Sequence, residues 1–376
     1  MNHWICSLFL IIISSQALAV PEVARYGHSS CTSCHVATGG GGILTNYGRM
    51  FAAEKLSTWS TYAEENVLHG LMNPSEHFLV GGDARWAYTR YESGTVKQEK
   101  FWRMQTDFEL ALHAVDTWIQ LAFGTKPAGP YDDSRQHRKL INRGYSARID
   151  LFDEHTLVRI GRFLPKFGLM TADHTIYTRM AADMGPENEQ LQFELTMQND
   201  QNELSLSAMS DKHSRSDDTQ PKKGFNFYIS HMFRQRSRLS LGMFQAETSP
   251  PNVSRKTTGT VVSGIIIFNE KLFSLVEITR VNDVIKSSDL KSESDAAALF
   301  ANLNYEIFKG FFPFVRYELW NRDFSDPKSR LTRHGAGITW YPRPHFQTEV
   351  RVLVTNSNDS GSRPKLSTDL ILHYYL

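Results

Sequence analysis

Cysteine is scarce in this chain: three residues in 376. That leaves no disulfide framework, and no second cysteine pair to complete a structural zinc site. Net charge is almost absent too, +1 from 41 basic and 40 acidic residues, so no nucleic-acid partner is expected. After the N-terminus no apolar run is long enough to cross a bilayer as a helix; the longest, such as Val261 to Phe268, have the length of a strand. Neither a Gly-x-Gly-x-x-Gly fingerprint nor a P-loop is present for nucleotides. No Ser-His-Asp or His-Glu-x-x-His spacing points to hydrolysis.

The two cysteines beyond Cys6 form one motif, Cys31-Thr32-Ser33-Cys34-His35. The spacing C-x-x-C-H is that of c-type haem attachment. Two thiols reach the two vinyl groups of one porphyrin, and the next imidazole turns under the ring to the iron. A redox-active thiol pair is the competing reading, but it needs a strand-to-helix junction in a βαβ unit, and none is readable here. One haem c is therefore expected, with Cys31 and Cys34 as covalent anchors and His35 as proximal ligand.

The chain opens with the apolar run Leu8 to Ile13 and an Ala17-Leu18-Ala19 cleavage pattern, the marks of a secretory signal over 1–19. Residues 20–77 form a second unit. Leu44 to Leu56 and Thr61 to Leu71 have helical spacing, and Asn73-Pro74 ends the second run. So short a segment cannot bury a large core of its own, and a covalent haem would supply the missing apolar centre. The run Gly39 to Gly42 reads either as a flexible linker or as backbone passing close to the ring.

From His77 onward the pattern changes to short alternating runs. In 345–356, Phe346, Thr348, Val350, Val352 and Val354 share one face, and Gln347, Glu349 and Arg351 share the other. Alternation of this kind sets one face against an apolar phase and the other against water. About sixteen strands of the type that line membrane barrels are expected over 78–376. Short turns alternate with long polar loops, notably 125–142, 165–189, 248–258, 281–294 and 321–330, and both termini fall on the short-turn side. A soluble β-sandwich has no reason to sort its loops by length. Aromatics are plentiful, 23 Phe and 14 Tyr, as girdles at membrane interfaces require. Leu370, Leu372, Tyr374 and Leu376 alternate to the last residue, as in the final strand of bacterial barrels. The fold class is thus mainly β: an antiparallel transmembrane barrel, preceded by a small α-helical c-type cytochrome domain.

Pro21 to Arg25, then Tyr26-Gly27, then the haem motif and a barrel-length β-region together resemble the fused monohaem cytochrome–porins of bacterial outer membranes. The best-known members are outer-membrane iron oxidases. The resemblance implies an outer-membrane electron conduit whose haem domain enters from the periplasm. It implies an extracellular donor, Fe(II) among the options, a soluble periplasmic cytochrome as carrier, and contact with outer-membrane lipid. A solute porin with a structural haem-bearing plug is the alternative.

Met50, His69, Met72 and His77 are the candidates for the sixth ligand; His28, three residues before Cys31, is placed too close to reach the opposite face. Arg25 and Arg49 are candidate partners for haem propionates, although solvated surface positions are the plainer expectation for both. In loop 165–189, Asp173, His174, Asp183 and Glu187 have the chemistry of a transient iron site, but a solvated acidic loop is the commoner outcome.

Overall fold

The structure is a computed structural model describing residues 21–376 apart from 62, 73, 74, 126–139, 153, 174, 186, 187, 211–221, 234, 235, 249–252, 288–290 and 360. The expected signal segment, with Cys6, lies outside the described residues, as do His174, Glu187 and the Asn73-Pro74 stop.

Sixteen antiparallel strands, β1 to β16, pair in sequence order and close on themselves. Closure joins β1 (Phe78–Ser93) to β16 (Lys365–Tyr375), with Asp83 opposite Tyr375 and Ser93 opposite Lys365. The Leu376 N–H, donating to the Gly82 carbonyl at 2.7 Å, extends the ladder to the last residue. Closure removes the sheet edge, which no lipid-exposed sheet can leave unpaired.

The expected alternation is present on every strand. Leu121, Ile149, Ile160, Phe193, Leu241 and Val350 are exposed on the outside. Their neighbours in sequence, Gln120, Arg148, Arg159, Glu194, Ser240 and Arg351, point inward and are buried. An apolar exterior over a polar interior is the pattern of a membrane barrel. Phe78, Phe152, Phe268 and Phe308 add exposed aromatics at the short-turn rim.

Loop lengths segregate as expected at that rim, where the turn between β14 (Arg330–Trp340) and β15 (Phe346–Ser357) is typical. The opposite rim is less uniform. Segments read as loops there continue as strand: β10 starts at Val253, β11 runs to Ser287 and β12 starts at Lys291. Arg255–Asp283 (2.8 Å) and Arg280–Asp295 (2.5 Å) pair across these extensions. Apolar alternation stops where the lipid ends, but cross-strand ion pairs carry the ladder on into water.

The α-helical cytochrome domain is corrected by the structure: residues 21–77 do not make a separate domain. Among the described residues its helical pieces are short: 3₁₀ turns at Pro21–Tyr26 and Cys31–Ser33, the α-helix Asn46–Phe51, a π-turn at Ala52–Leu56 and a single turn at Val67–Gly70. The segment is instead a plug inside the barrel. Val36 and Ile43 pack on Leu79 and Ala111 of the wall. The Ile43 N–H donates to Glu109 (2.9 Å), Thr38 to Glu194, and Arg148 to the Val36 carbonyl. A segment too short for a core finds one in the lumen, and its polar groups find partners on wall carboxylates.

Candidate functional site

The motif sits at the start of a small hairpin. Cys31–Ser33 form one 3₁₀ turn capped by Ser30, and His35 bridges antiparallel to Leu44. The glycine run is the hairpin tip, with φ of +71°, +75° and +67° at Gly40, Gly41 and Gly42, a left-handed conformation costly for any side chain. It is thus a buried turn rather than a linker, and Gly39 lines the cavity described next. Behind it, Gly48 permits the helix Asn46–Phe51 to lie directly on the Cys34 carbonyl, which a Cβ there would overlap.

Cys31, Cys34 and His35 all line one cavity of about 980 Å³, mostly apolar in its walls. Both cysteines are free thiols. Burial pushes the Cys34 thiol up to about 12 and His35 down to about 4. His35 is therefore a neutral imidazole at physiological pH, the form that binds a metal. Its Nδ1 is buried with no hydrogen-bond partner among the described residues. Ser30 donates to Gln198 (2.6 Å) and Ser29 to the Asn199 carbonyl (3.0 Å), fixing the motif to the short-turn rim.

The rest of the cavity is barrel and loop, and Arg238 reaches back to the motif, beside the Cys31 thiol and the Ser29 carbonyl (3.4 Å). Glu203, Tyr228, Arg238 and His373 come from strands; Lys166, Leu169 and Met170 come from the connection between β5 (Thr156–Phe163) and β6 (Gln190–Gln198). This connection folds inward. The Leu169 N–H donates to Glu277 (2.6 Å) and the Tyr177 N–H to Glu318 (2.9 Å). Asp173 takes Arg316 (2.8 Å) and Arg351 (2.5 Å). A second cavity of about 660 Å³, with more charged side chains in its lining, shares Gly39 and Met170 with the first and reaches Arg143 and Arg162, near the opposite ends of their strands. The lumen is thus filled by a plug from one rim and a loop from the other, with two cavities in line between them.

None of Met50, His69, Met72 and His77 lines the cavity. Met50, Met72, His69 and His77 are exposed; the His69 ring lies at the rim near Tyr374 (3.3 Å). His28, expected to be too near the motif, does line it, with Nε2 at 3.3 Å from the Tyr47 hydroxyl. The surface reading of Arg25 and Arg49 is corrected: both are buried. Arg25 pairs with Glu306 (2.7 Å) over Phe273 and Phe312; Arg49 donates to the Val80 carbonyl, and burial lowers it to about 10. Nor do the two described candidate carboxylates of the loop, Asp173 and Asp183, gather. Arginines hold Asp173, Asp183 pairs with Lys222 (2.8 Å), and no cluster fit for a metal ion occurs among the described residues. Sequence reasoning missed Met170, Arg238 and His373. Strand parity puts the last two in the lumen, but nothing in it marks them as neighbours of the motif.

No protein-family model and no curated protein matches the chain. Solved structures do. The outer-membrane channel DcaP of Acinetobacter baumannii superposes with a TM-score of 0.59 at 12% identity, over 81% of this chain and 99% of that one. The anion-selective porin of Comamonas acidovorans gives 0.60 at 8% identity, over 80% and 99%. Salmonella typhi OmpF, solved with daunomycin, gives 0.59 at 9% identity, over 80% and 97%. At such identities the likeness is one of fold. The chain has the closed sixteen-strand barrel fold of the bacterial outer-membrane porins.

Proposed function

We propose that this chain spans the bacterial outer membrane, holds one c-type haem in its plugged lumen, and passes electrons between an extracellular partner and a periplasmic carrier. The observation that carries this reading is the position of Cys31, Cys34 and His35 on the wall of a single large, mostly apolar cavity inside the barrel. The residues present fit the group: two free thiols at the right spacing, a neutral imidazole with an unpartnered nitrogen, and an apolar enclosure.

A bound haem supplies a one-electron iron couple. The protein does the rest. Cys31 and Cys34 would tether the ring, and His35 would hold the iron. Plug and inward loop keep solutes out of the lumen. The eight residues of β5 span about 27 Å of strand and, at a tilt of about 40°, about 20 Å of membrane depth. The haem cavity takes the short-turn half of that depth and the second cavity the other half. A centre there shortens each electron step to a fraction of the insulating layer. A soluble cytochrome would dock at the short-turn rim; Fe(II) is the donor the sequence resemblance suggests.

A second reading is supported by the named neighbours, which are channels and porins: a solute channel with a haem-bearing plug of structural value. Proteoliposomes separate the two. With a reductant outside and ferric cytochrome c inside, internal cytochrome should be reduced while entrapped sugars stay in. Sugar efflux without cytochrome reduction would establish the channel and reject the conduit.

A further inference from the structure

We infer that Met170, on the inward-folded loop, is the second axial ligand of the iron. The inference rests on the haem reading above and deepens it.

A low-spin haem needs a donor opposite His35, and that donor must face the same cavity. The wall offers few. His373 has Nδ1 on Gln347 (2.7 Å) and Nε2 turned to Asp83 (3.0 Å), which also holds Arg85 (3.1 Å), so both ring nitrogens already face wall groups and iron would have to displace one. His28 is tied to the motif by a two-residue tether and stacks edge-on against Phe51 at 4.9 Å. Lys166 is ion-paired to Glu203. Tyr375 packs against Cys34 and Leu44, beside the attachment point rather than across from it. Met170 remains, and its thioether is a soft donor suited to haem iron.

Its placement is specific. Met170 is buried, and its backbone has φ +54°, a left-handed conformation that a long side chain adopts only when its surroundings impose it. They do so here through the Leu169 N–H bond to Glu277 and the burial of Phe167 and Leu169 in two separate apolar clusters. The side chain then reaches the plug: its terminal methyl lies 3.4 Å from where a Cβ on Gly39 would stand, ordinary van der Waals contact. The sulfur accepts only the Phe167 N–H, at 3.4 Å, and a thioether is a weak acceptor with a second lone pair to offer. Met170 also forms part of the partition between the two cavities. Ligation would clamp loop to plug.

The test is spectroscopic. Purified ferric protein should show the weak red sulfur-to-iron charge-transfer band of methionine-ligated haem c, by absorption and magnetic circular dichroism. Met170→Leu, which keeps the size, should abolish that band and speed cyanide binding at least tenfold. Met170→His should restore a low-spin spectrum without the band and lower the potential. M50L and M72L should change nothing. A wild-type protein lacking the band, or a band that survives M170L, overturns the inference. So does a band lost in M50L or M72L, and this arm decides the matter if M170L does not fold. A pyridine haemochrome assay on the same samples keeps the two levels apart. No covalent haem sinks the haem reading itself; covalent haem with the band intact in M170L sinks only the ligand.

Discussion

Asp173 offers the sharpest test of a closed lumen. Its Oδ2 takes both Arg316 (2.8 Å) and Arg351 (2.5 Å), while Oδ1 accepts from the hydroxyl and the N–H of Thr175. Removing one member of a buried ion pair costs about 3–5 kcal/mol. The lower end applies to Asp173→Ala, because Arg351 keeps Asp369 (2.9 Å) and Glu349 (3.2 Å) and only Arg316 loses its carboxylate. A loss of about 3 kcal/mol, at 1.36 kcal/mol per tenfold, raises the detached-loop population by roughly 10²-fold. The loop would not swing free entirely, since Glu277 and Glu318 still hold Leu169 and Tyr177. Single barrels in a planar bilayer should therefore change from almost silent to flickering, with openings about a hundred times more frequent. Asp173→Asn, which keeps the shape, should fall between. If wild type conducts steadily, or if D173A is as silent as wild type while folding normally, the loop is not the closure described here.

Further outcomes follow from the plug. Replacing both Cys31 and Cys34 by Ala should remove haem staining on a denaturing gel, yet leave the heat-modifiable mobility of a folded barrel, because the strand ladder closes without the motif. Gly42→Ala should destabilise by about 1–3 kcal/mol, since the new Cβ meets Glu109 at 2.6 Å in a left-handed backbone; an unchanged thermal midpoint would contradict the packed tip. Glu64 is lowered from 4.5 to about 2, first by its hydrogen bonds from Arg343. Its folded value lies below its unfolded one, so its contribution is complete above pH 4.5 and drains away as pH falls toward 2. With Arg343 half exposed, about 1–2 kcal/mol is at stake. Protease release of the plug should rise across that window in wild type, and Glu64→Gln should flatten the rise.

The strands could be read from the sequence because lipid imposes a rule on every second residue: Val350 and Val352 face outward and Arg351 inward whatever else the chain does. The C-x-x-C-H motif was equally plain, since its spacing is purely local. What the sequence could not convey was where the ends of the alternation lay, because Arg255–Asp283 and its neighbours pair in water without apolar contrast. Nor could helical spacing over 44–71 reveal a plug. Its hairpin is settled by wall groups such as Glu109 and Glu194, which lie far off in sequence and supply the partners the segment lacks. Most of all, parity puts Arg238, His373 and Glu203 in the lumen but cannot say which of them meets Cys31, Cys34 and His35. That depends on how deep the hairpin enters and how the loop carrying Met170 crosses to meet it. Local sequence thus determined the wall and the motif, because both answer to nearest-neighbour rules; only tertiary packing decided what faces the cavity, because those contacts join residues the chain itself keeps far apart.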